Sequence, residues 1–247
     1  MKIRVLSYNI HGCVDSQRKV DVESISKILR SINADIIALQ EVDTEKPLSR
    51  NRNQAKTVSE VLGFDYIYFP IEKTGRHAFG LAILSRYPIE KNDFLFLPNL
   101  YPRLNMRKRG VVRAKLQTPM GSLSLINTHL SIYKLERYLQ LVSALGWKGL
   151  SALDLKNPII LCGDLNARPS SLIYRKLSRL LTDVQKASSL SGKPRPTFPS
   201  NAPVLRIDHI FVSDHFNTMK AEVIESELTI RASDHLPLVA DLRFLLS

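Results

Sequence analysis

Residues 159–166 read Ile159-Ile160-Leu161-Cys162-Gly163-Asp164-Leu165-Asn166. The apolar run reads as a buried strand. Gly163 lets the backbone leave that strand tightly, or lets another group come close. Asp164 and Asn166 are two positions apart, so in extended chain they face the same side. A carboxylate able to orient or deprotonate water thus neighbours an amide able to hold a phosphate. Gly, Asp and Asn also favour plain turns, and that is the weaker reading of this stretch.

The same arrangement recurs on either side. Leu6-Ser7-Tyr8-Asn9 ends an apolar run with an amide. Asn9 is able to touch a metal or a phosphate oxygen, though on its own Asn more often marks a turn. Ile36-Ile37-Ala38-Leu39-Gln40-Glu41 ends in a carboxylate at the rim of a sheet, a hard oxygen ligand suited to Mg²⁺ or a surface Glu that starts a loop. Leu125-Ile126-Asn127-Thr128-His129 delivers an imidazole able to donate to a phosphoryl oxygen, where a lone His is more often structural. Asp208 lies inside the strand-like run Arg206 to Val212. Strands deplete Asp, so it needs a partner, and an imidazole is the obvious one. His209 points to the other face and reads as structural. Ser233-Asp234-His235 offers a metal contact with a general acid or base, or simply a cap.

The chain has 247 residues, 44% of them hydrophobic. That suffices for one substantial core, and residues 1–247 read as a single domain. There is no internal repeat. No apolar run approaches the ~20 residues of a membrane span, and Met1 to Leu6 reads as a first strand rather than a secretion signal. Two cysteines, Cys13 and Cys162, make no disulfide framework, so a cytoplasmic protein is the default expectation. The net charge of +12 favours polyanionic partners. Basic residues cluster at Lys46, Arg50, Arg52 and Lys56, at Arg103 to Lys115, and at Arg168, Arg175, Lys176 and Arg179. Ser188 to Pro196 reads as a long loop within the domain.

Strand-like runs rich in Ile, Val and Leu span Ile3 to Ser7, Asp35 to Gln40, Leu81 to Leu84, Val111 to Leu116, Leu123 to Asn127, Pro158 to Cys162, Asp208 to Val212 and Leu236 to Phe244. Helical spacing joins Val22, Ile25, Ile28, Leu29 and Ile32, and again Leu135, Tyr138, Leu139, Val142 and Leu145. A further helix follows Pro169-Ser170 through Tyr174, Leu177, Leu180 and Leu181. Strands outnumber helices and some follow each other directly, which fits two sheets packed face to face with helices outside.

Taken in order, these pieces resemble the endonuclease/exonuclease/phosphatase superfamily, the fold of pancreatic-type deoxyribonuclease and of exonuclease III-like abasic-site endonucleases. The resemblance rests on Ser7 to Gly12, Leu39 to Val42, Gly80 to Arg86, Asn127 to Leu130, Gly163 to Asn166, Ile207 to Ile210 and Ser233 to His235, and so spans nearly the whole chain. It implies an α/β fold: a four-layered α/β sandwich of two packed mixed β-sheets flanked by helices (deoxyribonuclease I-like). It implies Mg²⁺, with Mn²⁺ as the alternative, on Glu41, Asn9 and Asp234. Asp164 would position or activate water, and Asn166 and His129 would contact the phosphate. His235 would be the catalytic histidine, oriented by Asp208. Arg107 or Arg109 would neutralise substrate charge. Whether Asp164 or His235 takes the proton of water stays open.

The reading that follows is a metal-dependent phosphodiesterase, a nuclease acting on nucleic acid as a monomer with no transmembrane segment. The alternative substrate is an anionic phosphoester small molecule, inositol phosphate or phospholipid headgroup. Phe94 to Tyr101 suits a membrane-touching loop, but a core strand ending at Pro98 is the better reading of it. A non-catalytic binding module is the third reading, and the filled catalytic positions speak against it.

Overall fold

A computed structural model of the chain describes residues 1–44, 53–101, 107–146, 157–188 and 192–245. Lys46, Arg50, Arg52 and Arg103 of the basic clusters, and 189–191 of the Ser188 to Pro196 loop, lie outside the described residues.

Two six-stranded mixed sheets pack face to face. The first has the order β11 (Phe216–Val223), β12 (Leu238–Phe244), β1 (Lys2–Asn9), β2 (Ile36–Thr44), β4 (His77–Ser85), β3 (Asp65–Thr74). The second has the order β5 (Ile89–Phe96), β6 (Gly110–Thr118), β7 (Gly121–His129), β8 (Ile159–Asp164), β10 (Asp208–Val212), β9 (Thr182–Asp183). All eight strand-like runs fall on strands, six of them to within two residues at both ends, while β2 continues four residues past Gln40 and β4 begins four before Leu81. The inner faces meet in one apolar layer that includes Val5, Ala38, Ile83, Val112, Leu125, Ile160 and Ile210. Helices α1 (Val22–Ile32) and α2 (Gln54–Leu62) cover the outer face of the first sheet. Helices α3 (Lys134–Gly146) and α4 (Leu172–Leu177) cover the second. Short helices α5 (Val184–Ala187) and α6 (Glu227–Ala232) fill connections. The result is the expected four-layered α/β sandwich.

Two expectations change. Phe94 and Phe96 lie on an edge strand that ends at Phe96, and each is 55% exposed, so this segment is not a core strand. The apolar stripe of α3 divides: Tyr138 and Leu145 pack against the core, whereas Leu135 and Val142 turn outward. The helix buries Glu136, Arg137 and Gln140 beside Leu141 and Ala144, while Leu135 and Val142 are exposed.

Strand direction places the functional rim. β1 runs parallel to β2, and β7 runs parallel to β8, so their C-terminal ends open on one side. β10 and β12 run antiparallel to β8 and β1 and begin at that same side. A buried amide pair keeps the two sheets in step. Asn127 Nδ2 donates to the carbonyls of Leu39 (2.8 Å) and Ala82 (2.9 Å), and Gln40 Nε2 donates to Asn127 Oδ1 at 2.8 Å. In an apolar layer these bonds tolerate no slip, because a slipped register leaves both amides unpaired.

Candidate active site

Glu41, Arg109, His129, Asp164, Asn166 and His235 line one cleft of about 1140 Å³, and Asn9, Arg107 and Asp208 contact residues that line it. Glu41 sits in a β-bulge, where the register of β2 against β4 shifts, and has a left-handed φ of 56°. Asn166 likewise has φ 48°. Such angles are uncommon for residues with a Cβ and mark backbone held against its preference. At Gly163 a Cβ would stand 2.1 Å from the carbonyl oxygen of Thr128, so only glycine lets β8 lie this close to β7.

Asn9 ties the two sheets' carboxylates together. Its Nδ2 donates to Asp164 Oδ2 at 3.1 Å and to Glu41 Oε1 at 3.3 Å. Asp234 joins this group through His11, whose Nδ1 lies 3.3 Å from Asp234 Oδ1 and 3.9 Å from Glu41 Oε2. His11 is thus part of the site, although its spacing in the sequence did not decide it.

On the other side of Asp164 stands a dyad. His235 Nδ1 is 2.8 Å from Asp208 Oδ2, which also accepts from the Thr197 hydroxyl. Phe198 packs against the His235 ring with centroids 4.7 Å apart. Neither Thr197 nor Phe198 carried a sequence signal, since both reach the site only through the fold of a loop. The partner expected for Asp208 is therefore an imidazole, as read, while His209 faces away and contacts the carbonyl of Ala167 at 2.8 Å.

Burial would depress the pKa of His235, but the charges of Asp208 and Asp164 outweigh it and raise the group to about 10. Burial, followed by the charge of Asp208, raises Asp164 well above the ordinary carboxylate range. His129 moves the other way: burial first, then the charge of Arg109, holds it neutral. Arg109 Nη1 donates to His129 Nδ1 at 3.1 Å, which assigns the ring proton to Nε2, 3.3 Å from Asp164 Oδ2. Arg109 is buried and engaged with His129, whereas Arg107 lies over the Phe79 ring and 3.9 Å from Glu41. Asn166 Nδ2 donates to the carbonyl of Leu130 at 3.0 Å and lies 3.3 Å from His129 Nε2.

The donor set fits a hard divalent cation. Glu41 and Asp164 bring carboxylate oxygens to the cleft, Asp208 and Asp234 join them through His235 and His11, and Asp208 Oδ1 is buried with no hydrogen-bond partner among the described residues. Ligand atoms of Asp164, Asp208 and His235 lie within 4.8 Å of one another. Crowded carboxylates of this kind call for a cation or a proton.

The sequence model of the Endonuclease/Exonuclease/phosphatase family matches residues 6–235. The chain belongs to that family. "Uncharacterized protein YbhP" of Escherichia coli is 26% identical over 97% of this chain and 95% of its own. "Putative neutral sphingomyelinase" of Drosophila melanogaster is 28% identical over 92% of this chain and 55% of its own. The solved structure of the mannosyl-6-phosphatase Bt3783 of Bacteroides thetaiotaomicron superposes with a TM-score of 0.79 at 22% identity, covering 98% of this chain and 100% of that one. As a member of the endonuclease/exonuclease/phosphatase family, the chain is a phosphoester hydrolase by class.

Proposed function

We propose that this chain hydrolyses phosphate diesters with the help of a divalent cation, Mg²⁺ before Mn²⁺. The observation that carries this reading is the position of Asn9, whose single amide nitrogen bridges Glu41 and Asp164 from opposite sheets. Glu41, Asn9 and Asp234 would hold the cation, whose charge would offset the negative charge that develops on the phosphoryl oxygens.

The chain's own groups divide the remaining work. Asp164, with its raised proton affinity, accepts the proton of the attacking water. His235, held protonated by Asp208, donates to the leaving oxygen. The amide of Asn166 and the ring of His129 steady the phosphate, and Arg107 balances its charge. Preorganised donors of this sort are each worth ~3 kcal/mol, on the order of a hundredfold in rate.

Nucleic acid is one substrate class this cleft suits, supported by the net charge of +12 and by Lys134, Arg168 and Arg175 at its mouth. Phospholipid headgroups are the second, supported by the aliphatic side chains at the same mouth and by the name of the Drosophila relative. Turnover of a soluble bis-aryl phosphodiester with Mg²⁺, abolished by EDTA, tests the chemistry. A Mg²⁺-independent rate, or none at all, would overturn it. A panel of single- and double-stranded DNA, RNA, inositol phosphates, phosphoinositides and sphingomyelin then separates the substrates.

A further inference from the structure

Helix α3 buries Glu136, Arg137 and Gln140 beside Leu141 and Ala144, and the polar three lock its rotation. Glu136 Oε1 accepts from the Leu100 amide at 2.8 Å. Arg137 Nη1 donates to the carbonyls of Ser131 (3.1 Å) and Ile132 (3.2 Å). Gln140 accepts from the Ser131 amide at 2.8 Å and donates to the Pro98 carbonyl at 3.0 Å. Rolling the helix to bury its apolar stripe would break all of these bonds and strand a buried charge. Leu135 and Val142 are therefore committed to the outside, while Tyr138 and Leu145 stay against the core.

The exposed apolar surface does not end at the helix. Ile132 just before α3 is 56% exposed, Leu135 on its first turn 59%, and Leu172 at the start of α4 61%. All three line the mouth of the catalytic cleft, interleaved with Lys134, Arg168 and Arg175. Single exposed leucines need no explanation, but three gathered at a substrate entrance do. The basic side chains between them name the sign of the partner's charge. The aliphatic side chains name its character: bases stack on exposed aromatic platforms, but the aromatic residues of this cleft, Tyr138 and Phe198, are partly buried against the core and against His235, whereas exposed Ile and Leu beside Lys and Arg are the composition of a surface that rests at a lipid headgroup boundary.

We propose that this rim seats the protein on an anionic phospholipid surface and offers a headgroup phosphodiester to the cleft. The choice of substrate rests on the hydrolytic reading above; the docking itself does not. A flat partner covers side chains that ring an opening, which a convex one entering the cleft would leave behind.

The test is sedimentation of the purified protein with vesicles, with EDTA present so that no turnover is needed. Vesicles of phosphatidylglycerol and phosphatidylcholine are compared with vesicles of phosphatidylcholine alone. The protein is expected to sediment with the anionic vesicles and to stay bound in part at high salt, because apolar contacts survive screening. The double variant Leu135→Ser, Leu172→Ser is expected to lose binding about tenfold while melting at the wild-type temperature, since neither side chain is buried. Absence of sedimentation, or equal binding by the variant, overturns the proposal. So does a dimer in the absence of vesicles that the double variant abolishes, which would make a second copy the occupant. Binding of single-stranded DNA that the variant weakens and the vesicles do not compete would assign the rim to nucleic acid instead. Vesicle binding without turnover of the soluble diester would sink the hydrolytic reading and leave the docking surface standing.

Discussion

His235 Nδ1 lies 2.8 Å from Asp208 Oδ2, while its Nε2 faces Asp164 Oδ2 at 3.7 Å. One imidazole thus stands between two buried carboxylates, oriented by the first and aimed past the second into the cleft. His235→Ala, Asp164→Ala and Glu41→Ala are each expected to lower kcat on a soluble phosphodiester by about a hundredfold or more. Circular dichroism should show all of them folded. Near-wild-type turnover by His235→Ala would remove this histidine from the chemistry.

Glu41 holds a left-handed backbone conformation, at φ 56°, in order to present its carboxylate. Glycine adopts this conformation freely, so Glu41→Gly should melt above Glu41→Ala by an amount corresponding to about 1 kcal/mol. Both variants should lose turnover and bind Mn²⁺ more weakly. Equal melting temperatures would mean that the bulge stores no strain.

Gly163 allows β8 to approach β7 where a Cβ would meet the Thr128 carbonyl at 2.1 Å. Gly163→Ala should destabilise the fold by about 1–3 kcal/mol and reduce activity through displacement of Asp164. Urea unfolding gives the first quantity. Wild-type stability would show that the strands part at no cost.

His209 sets a pH limit. Burial, followed by the charge of Arg206, lowers its pKa from 6.5 to about 4. The unfolded chain takes up the proton near pH 6.5, whereas the folded one resists until about 4. The stabilisation is therefore complete above the unfolded value and is lost as the pH falls between the two. It is on the order of 3 kcal/mol. Urea midpoints at pH 7.5 and 4.5 should differ less in His209→Gln than in wild type; an unchanged difference would contradict the assignment.

The two-sheet architecture and most of the site were legible before any coordinate. Runs such as Ile159 to Cys162 are apolar because those strands are covered on both faces, and a polar residue that ends such a run can only sit at a rim. The edge strands were less legible. In β5, Glu90 to Asp93 face solvent while Phe94 and Phe96 reach sideways, so the segment shows neither a buried run nor a clean alternation. Helix α2 was missed because its sequence mixes small and polar side chains, although Asn53 caps it by accepting from the Lys56 amide. The α3 stripe was read with the right period, but only Tyr138 and Leu145 of it pack against the core while Leu135 and Val142 are exposed. Periodicity finds an apolar face but is silent on whether hydrogen bonds elsewhere forbid its burial.

The sequence by itself determined where strands end and which side chains stand at those ends, because hydrophobic burial is local enough to be written as a pattern. The tertiary structure alone decided who meets whom. Asn9 bridging Glu41 and Asp164, His235 seated on Asp208, His11 drawn to Asp234 and Thr197 donating to Asp208 all join residues from different strands and loops. Those meetings depend on strand direction and on the register that Asn127 and Gln40 enforce between the sheets, and short-range spacing carries neither.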